Sequence, residues 1–292
     1  MKYGIYYAYW EKEWKADFLP YIKKVKKLGF DILEIACGGF HQKDDAYFRE
    51  LKQVSEGEGI ILTGGYGPRA EHNLGSADNS LVNGAFKFWN EILYKMKLAG
   101  IDRVGGALYS YWPVDYSKKF DKPKDTQRSI ENMKHLADIA LNYGITLNLE
   151  VINRFEGYMI NECAEAINYV KAVDKPNVKV MLDTFHMNIE EDSLTDAIRK
   201  AGPMLGHLHI GEANRKPPHT KGRISWDKLG SALNDINYKG YVVMEPFVKM
   251  GGQVGKDVFI WRDISDGATE EALDKAAADS LNYIRSLWER TK

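Results

Sequence analysis

Four apolar stretches of this sequence each end in a side chain that can bind a metal ion. The end residues are Glu150, Asp183, His209 and Glu245. A carboxylate that closes an apolar strand is costly to bury unless a nearby group neutralises its charge. A divalent cation would neutralise all three carboxylates if the four strand ends converged. The pattern therefore predicts one metal site built from these four residues.

The donor atoms of this set are carboxylate oxygens and one imidazole nitrogen, without a thiolate. Such donors are typical of Mn²⁺, Co²⁺ or Mg²⁺ sites, and Zn²⁺ is less favoured without sulfur. Any one of these residues could equally be an ordinary polar strand end, but four in succession favour a site. His207 lies two residues before His209 and so on the same strand face, farther from the strand end. We expect His209 to be the ligand and His207 a hydrogen-bonded core or supporting residue.

Three further polar residues lie just beyond the predicted ligand strands. Glu156 and His186 are positioned to hold a polar substrate on the metal ion, and Arg215, just beyond His209, could reach the same mouth. For Arg215 the alternative is a surface-loop arginine, because connecting loops lie on the surface and vary freely.

The scaffold that must position these residues is a repeat of apolar strands and amphipathic helices. The predicted strands span residues 3–7, 32–35, 60–63, 104–108, 145–150, 178–183, 205–210 and 241–245. The predicted helices span residues 17–28, 44–56, 79–98, 124–143, 162–173, 194–201, 226–236 and 270–289. Parallel strands need helical crossovers, so this alternation favours a parallel barrel. An open doubly wound sheet is the alternative, but no Gly-x-Gly-x-x-Gly follows the first strand.

In a (β/α)8 barrel the carboxyl ends of all strands face one mouth, where active sites lie. The longer insertions lie on that side, at residues 8–16, 109–123, 211–225 and 246–269. No linker divides the chain, so we predict an α/β fold, a single (β/α)8 TIM barrel domain over residues 1–292 with the active site at this mouth. Glu34 also ends an apolar strand, but we expect it to lie far around the barrel, as a structural or supporting residue.

Composition excludes several classes of function. A formal net charge of −1 gives no basic surface for nucleic acid or an anionic membrane. No apolar run approaches the roughly 20 residues that a membrane-spanning helix needs, and the N-terminus shows no signal-peptide pattern. Two cysteines, Cys37 and Cys163, do not make a disulfide framework. We expect both to be packing residues of a cytoplasmic protein without nucleic-acid or membrane partners.

Aromatic residues are frequent in the loops predicted at the mouth. Flat apolar rings of this kind bind sugar rings or chains, although most aromatic residues simply pack. Gly64, Gly65, Gly105 and Gly106 more plausibly provide space and close backbone approach than a phosphate cradle. The aromatic set comprises Tyr6, Trp14, Tyr66, Tyr109, Trp112, Phe247 and Trp261.

With these residues in place, the chain resembles the ketose 3-epimerases, the D-tagatose and D-psicose (D-allulose) 3-epimerases of the xylose isomerase-like barrel superfamily. The resemblance implies a (β/α)8 barrel, a Mn²⁺ or Co²⁺ ion, a free ketohexose substrate and a homodimer or homotetramer. It covers nearly the whole chain, and its later segments are highly specific in combination. The segments that carry it are residues 4–10, 105–113, 150–156, 181–191, 206–209 and 243–247.

By that resemblance, Glu150 and Glu245 are the acid–base pair as well as metal ligands. Glu156, His186 and Arg215 would grip the ketose near its carbonyl end. The chain departs from the family pattern in a longer loop at 214–223 and a shorter, glycine-rich loop at 37–43, both at the rim. The more apolar wall around the remaining carbons would be formed by Tyr6, Trp14, Ala107, Trp112 and Phe247.

Inverting the carbon beside a ketone requires removal of a C–H proton and its return from the opposite face. A metal ion can stabilise the enediolate between these steps, and two carboxylates can alternate as base and acid. This chemistry agrees with what the resemblance implies, a metal-dependent C3 epimerase of D-fructose/D-psicose or D-tagatose/D-sorbose. The alternatives are an aldose–ketose isomerase or other polyol enzyme on the same barrel, an abasic-site endonuclease, and a catalytically silent sugar-binding barrel.

Overall fold

The eight predicted strands form a closed parallel barrel in the computed structural model, which describes residues 1–289. Each strand pairs with its neighbours in sequence, and β8 closes the ring on β1. The predicted fold is confirmed, and residues 290–292 of the predicted domain lie outside the described part. The strands are β1 (Lys2–Tyr6), β2 (Ile32–Ala36), β3 (Ile61–Gly65), β4 (Arg103–Gly106), β5 (Thr146–Glu150), β6 (Val178–Asp183), β7 (Leu205–Ile210) and β8 (Tyr241–Met244).

Helices surround the barrel, and eight of them lie where the sequence predicts helices. None of the helices in residues 1–289 combines the length and apolar character that crossing a bilayer requires. The helices are α1 (Leu19–Lys27), α2 (Asp45–Glu58), α3 (Asn79–Leu98), α4 (Lys122–Tyr143), α5 (Cys163–Val173), α6 (Thr184–Glu190), α7 (Leu194–Ala201), α8 (Trp226–Asp235), α9 (Gly252–Asp257) and α10 (Glu270–Trp288).

Two short α-helices within residues 1–289 were not predicted. The helix α6 follows β6 without an intervening loop, and α9 lies inside the insertion after β8. Each spans fewer than two full turns of the amphipathic pattern, so hydrophobic periodicity gives them little signal. The α6 helix begins because the Asp183 side chain accepts a hydrogen bond from the backbone N–H of Phe185 at 2.7 Å.

Local sequence explains the longer helices and their packing. The carboxylate of Asp78 caps α3 by accepting from the backbone N–H of Ser80 at 2.8 Å. One face of α3 then buries Trp89, Ile92 and Leu93 completely against the barrel. Burial of each such side chain contributes on the order of 2 kcal/mol. The apolar stripe of the helix therefore holds it against the strands, and the polar face remains in solvent.

Strand register brings the predicted site residues to one level. Asp183 pairs with His209 across β6 and β7, so the two side chains lie side by side. Glu150 pairs with Met181, two residues before Asp183 on the same strand face. His209 pairs with Val243, and Glu245 lies two residues beyond. The register thus places all four residues at the carboxyl end of the barrel.

One glycine at the mouth is required by the backbone. Gly106 has a φ angle of +134°, which side-chain-bearing residues rarely adopt. A Cβ atom there would lie 2.1 Å from the carbonyl oxygen of Tyr66. The glycine lets the end of β4 pass close to the backbone of Tyr66, as expected for a residue that provides close approach rather than a phosphate cradle.

Candidate metal and active site

Four side chains converge at the carboxyl ends of β5 to β8. Glu150, Asp183, His209 and Glu245 each offer one ligand atom, and these atoms lie within 4.8 Å of one another. His209 Nδ1 lies 3.4 Å from Glu245 Oε1 and 3.7 Å from Glu150 Oε1. The barrel therefore brings together the four residues that the sequence predicts as ligands.

The donor atoms in this cluster are suited to a cation. Glu150 Oε1, Asp183 Oδ2 and His209 Nδ1 are buried and have no hydrogen-bond partner within residues 1–289. Buried polar atoms rarely lack a partner, so three of them at one point indicate a ligand. Three oxygen donors and one nitrogen donor suit a divalent ion such as Mn²⁺, Mg²⁺ or Co²⁺. The cluster fits a divalent metal ion.

Asp183 has two structural roles, one for each oxygen. Its Oδ1 accepts from the backbone N–H of Phe185 and begins α6. Its Oδ2 faces the cluster and lies 3.5 Å from Arg215 Nη1. The cap fixes the side-chain rotamer, so the second oxygen is held toward the other ligands.

The carboxylates of the cluster repel one another. Burial raises the pKa of Glu150 well above its usual range, and the charge of Glu245 raises it further. Burial likewise raises the pKa of Asp183. For His209, burial alone would lower the pKa, but Glu245 and Glu34 outweigh it and raise the pKa well above its ordinary value. The site thus attracts positive charge, whether a proton or a metal ion.

Glu34 contacts this site, so the expectation that it lies far around the barrel is wrong. Its Oε1 lies 2.5 Å from His209 Nε2, and its Oε2 accepts from Thr63 Oγ1 at 2.8 Å. His207 Nε2 lies 3.0 Å from Oε2 but is not aligned as a hydrogen bond. Burial alone would raise the pKa of Glu34, yet His209 and His207 hold it well below its usual range. Inward-pointing side chains meet across the barrel, which spacing along the chain does not reveal.

Arg215 lies in the cluster and not on the surface. Its side chain is 5% exposed, with Nη1 3.1 Å from Glu245 Oε2 and Nη2 3.5 Å from Glu156 Oε1. The guanidinium stacks 3.6 Å from the ring centre of Phe185. Its backbone has a φ angle of +63°, which costs a non-glycine residue roughly 1–2 kcal/mol. A conformation of that cost indicates that the loop is built to direct this side chain inward.

Glu156 and His186 form the adjoining wall. The Asn153 side chain donates to Glu156 Oε1 at 3.0 Å and contacts His186 Nδ1 at 2.8 Å. Trp112 Nε1 donates to Glu156 Oε2 at 3.0 Å. Burial alone would raise the pKa of Glu156, but the neighbouring His186 and Arg215 outweigh burial and lower this pKa. The pKa of His186 itself is lowered by burial. The wall thus presents a carboxylate acceptor beside a neutral imidazole.

A cavity of about 700 Å³ lies directly above the cluster. Tyr109 is buried outside it, with its hydroxyl donating to the carbonyl oxygen of Glu150, and Trp261 is exposed on the outer surface. Those two predicted rim aromatics therefore do not line the cavity. Of the predicted site residues, only Asp183 lies behind the lining. The lining includes Tyr6, Trp14, Tyr66, Ala107, Trp112, Glu150, Glu156, His186, His209, Arg215, Glu245 and Phe247.

Asn153 and Glu34 were not predicted as site residues. Asn153 is buried between Glu156 and His186, and both it and Glu34 contact predicted site residues directly. A sequence signal existed for Glu34, which is a carboxylate at the end of an apolar strand like the predicted ligands. Asn153 carried no such signal, because it is an uncharged residue that does not end a strand.

Comparison with known proteins places the chain in a family. The profile of the xylose isomerase-like TIM barrel family matches residues 22–287. D-psicose 3-epimerase of Ruminiclostridium cellulolyticum is 54% identical over 289 residues, covering 99% of this chain and 98% of the relative.

Two solved structures resemble nearly the whole chain. A D-psicose 3-epimerase from Clostridium cellulolyticum with D-tagatose has a TM-score of 0.97 at 53% identity, covering 99% of both chains. A D-psicose 3-epimerase crystallised in the presence of D-fructose has a TM-score of 0.97 at 50% identity, again covering 99% of both chains. The chain therefore belongs to the xylose isomerase-like TIM barrel family, within its group of D-psicose 3-epimerases.

Proposed function

We propose that this chain is a divalent-metal-dependent epimerase that inverts C3 of free ketohexoses. The observation that carries the proposal is that the carboxylates of Glu150 and Glu245, which are far apart in the chain, meet beside His209 in the barrel. Relatives at 50% identity or more are D-psicose 3-epimerases, and their structures contain D-tagatose or were obtained with D-fructose. This supports epimerisation over the isomerase, endonuclease and silent-barrel alternatives.

The two glutamates perform the proton transfers in the proposed mechanism. One carboxylate removes the C3 proton of the ketose, which leaves an enediolate. The other, protonated at the start, donates a proton to C3 from the opposite face and completes the inversion. Burial raises the pKa of Glu150, which favours one protonated and one ionised carboxyl group in the pair. In the reverse reaction the two residues exchange roles.

Glu150, Asp183, His209 and Glu245 would hold the metal ion. A divalent ion in that position supplies Lewis acidity that favours negative charge on neighbouring substrate oxygens. We propose Mn²⁺ or Co²⁺ as the native ion, with Mg²⁺ also compatible with the donors. The family resemblance supports this choice, and the donor set is consistent with it.

The remaining polar residues orient the sugar. Arg215 presents donors and Glu156 presents acceptors toward the cavity, close enough to each other to engage neighbouring oxygens of one ketose. His186 accepts from Asn153 at Nδ1, so the proton of its neutral ring lies on Nε2. That Nε2 lies 4.0 Å from Glu150 Oε1 and can donate to a substrate oxygen beside the base. Tyr6, Trp14, Ala107, Trp112 and Phe247 form the apolar wall for the rest of the sugar.

The test is incubation of the purified protein with Mn²⁺ and D-fructose, and separately with Mn²⁺ and D-tagatose, followed by chromatography of the product sugars. Formation of D-psicose supports the proposal. Formation of an aldohexose in its place would establish the isomerase alternative, and recovery of D-fructose alone, with D-tagatose also unconverted, would refute sugar epimerisation.

We also propose that the chain forms a homodimer or homotetramer in the cytoplasm. Large aromatic side chains remain exposed on the surface, with Phe155 67% and Trp261 68% exposed. A second copy of the chain would cover them. Light scattering after size-exclusion chromatography tests the assembly, and a monomer at micromolar concentration would refute it.

A further inference from the structure

We propose that Glu34 is a positioning residue for the metal site, and that it acts through His209. The carboxylate of Glu34 selects the tautomer and the ring orientation of this ligand, so that Nδ1 faces Glu150, Asp183 and Glu245. The inference rests on the proposed metal site and assigns to it a fifth residue, contributed by β2 from the opposite side of the barrel.

Both oxygens of Glu34 are engaged, which prevents rotation of the carboxylate. Its Oε1 lies 2.5 Å from Nε2 of His209, at hydrogen-bond distance, and its Oε2 accepts from the hydroxyl of Thr63 at 2.8 Å. Glu34 is 1% exposed and Thr63 is fully buried. No solvent is available to replace either bond, so the position of the carboxylate determines the plane of the imidazole ring.

The bond to Glu34 decides which nitrogen of His209 is free. A neutral imidazole has one N–H donor and one acceptor nitrogen. With the proton on Nε2, the lone pair lies on Nδ1, which has no hydrogen-bond partner in the described part of the chain and lies 3.4 Å from Glu245 Oε1. In the other tautomer an Nε2 lone pair would face the Glu34 carboxylate in a buried site, which is repulsive. Partners of this kind typically contribute about 10–100-fold to metal affinity.

A second cation site is the competing interpretation. Glu34, His207 and His209 also offer ligand atoms within 4.8 Å of one another. A cation there would have to take the His209 nitrogen that now contacts Glu34 at hydrogen-bond distance, and it would compete with the Thr63 hydroxyl for the second oxygen. We therefore expect a single metal ion per chain.

The test is Mn²⁺ binding, with free Mn²⁺ counted by its electron paramagnetic resonance signal. Glu34→Leu removes the acceptor at similar volume, and Glu34→Gln keeps an acceptor oxygen but removes the charge. Asn148→Leu is the matched control, because Asn148 is a fully buried polar residue on the inward face of β5. Among the residues that the structure describes, its side chain makes one hydrogen bond, a 3.4 Å bond to the Val104 carbonyl oxygen. Circular dichroism checks that each variant is folded.

We expect the wild type to bind one Mn²⁺ per chain and Glu34→Leu to bind it about 10–100-fold more weakly. The Mn²⁺ affinity of Glu34→Gln should lie between these two, and that of Asn148→Leu should match the wild type. Equal affinity of Glu34→Leu and Asn148→Leu would overturn this inference alone. If the wild type binds two Mn²⁺ ions and Glu34→Leu loses one of them, the positioning role is wrong and Glu34 belongs to a second metal site. No Mn²⁺ binding by the wild type would refute the proposed function as well.

A measurement on the wild type keeps the inference testable if Glu34→Leu does not fold. In the Mg²⁺-loaded protein, nitrogen-15 NMR of the His209 ring, assigned by its loss in His209→Gln, should show the proton on Nε2 and none on Nδ1. A proton on Nδ1 would overturn the inference.

Discussion

Replacing Arg215 by alanine tests whether this buried cation serves the substrate or the protein scaffold. In the proposed function its guanidinium donates to the ketose. Hydrogen bonds to charged groups contribute about 1.5–3 kcal/mol, and about 1.4 kcal/mol corresponds to a tenfold change. We therefore predict that Arg215→Ala lowers kcat/KM for D-fructose by about 10–150-fold.

The Mn²⁺ affinity of Arg215→Ala should not fall with its kcat/KM. Arg215 Nη1 lies 3.5 Å from Asp183 Oδ2 and 3.1 Å from Glu245 Oε2, so it repels an incoming cation. Without Arg215, Mn²⁺ should bind as tightly as before or more tightly. The carboxylates it neutralises would be left unpaired in the metal-free protein, so stability should fall without Mn²⁺ and recover with it.

The matched control is Arg154→Ala, which also removes a loop arginine beside the site. Arg154 pairs with Glu190 at 2.7 Å, but its side chain is 63% exposed, and such pairs contribute little. The assay is initial rates of D-psicose formation at saturating Mn²⁺, with Mn²⁺ affinity measured in parallel. If Arg215→Ala keeps the kcat/KM of Arg154→Ala, the substrate role is refuted. Loss of Mn²⁺ binding in Arg215→Ala would mean that the residue maintains the ligand set.

Three further predictions concern the metal ion, the acid–base pair and the thiols. Chelation should abolish turnover, and Mn²⁺ or Co²⁺ should restore it; full activity at zero measured metal content would contradict this. Metal affinity should fall as pH drops, because protons compete for His209, whose pKa is raised by Glu245 and Glu34 against the effect of burial. Metal-loaded Glu150→Gln and Glu245→Gln should each exchange the C3 hydrogen of D-fructose or D-psicose with deuterated water faster than they epimerise the sugar. The two variants should prefer opposite epimers, which proton NMR detects. Normal epimerisation by either variant would remove that glutamate from the mechanism. Burial raises the pKa of Cys37 and Cys163, so neither thiol should react with iodoacetamide at pH 8 until the protein unfolds, and mass spectrometry would expose a modified native thiol.

Much of the fold was predictable because its signals are local. Helices α3 and α7 span the residues predicted from their apolar periodicity, since capping residues and amphipathic spacing lie within each segment. The strand ends at Glu150 and Asp183 were predicted to the residue for the same reason. The short helix α6 was missed because its start depends on the Asp183 carboxylate, which the sequence indicated only as a ligand.

The sequence by itself determined which residues could act as metal ligands and the order of the strands that end in them. Glu150, Asp183, His209 and Glu245 were identifiable because a charged or polar side chain at the end of an apolar strand is costly without a partner. Each of these residues is recognisable from its neighbours in the chain alone, before any tertiary contact is known.

Only the tertiary structure decided how those residues face one another. Glu34 and His209 are separated by 175 residues, and their hydrogen bond exists because barrel closure directs β2 and β7 side chains into one interior. The same closure buries Arg215 beside Glu245, where loop position alone left a surface role open. Local patterns fix which side chains point inward, but contact across the barrel depends on strand register and closure, which arise from the packing of the whole chain.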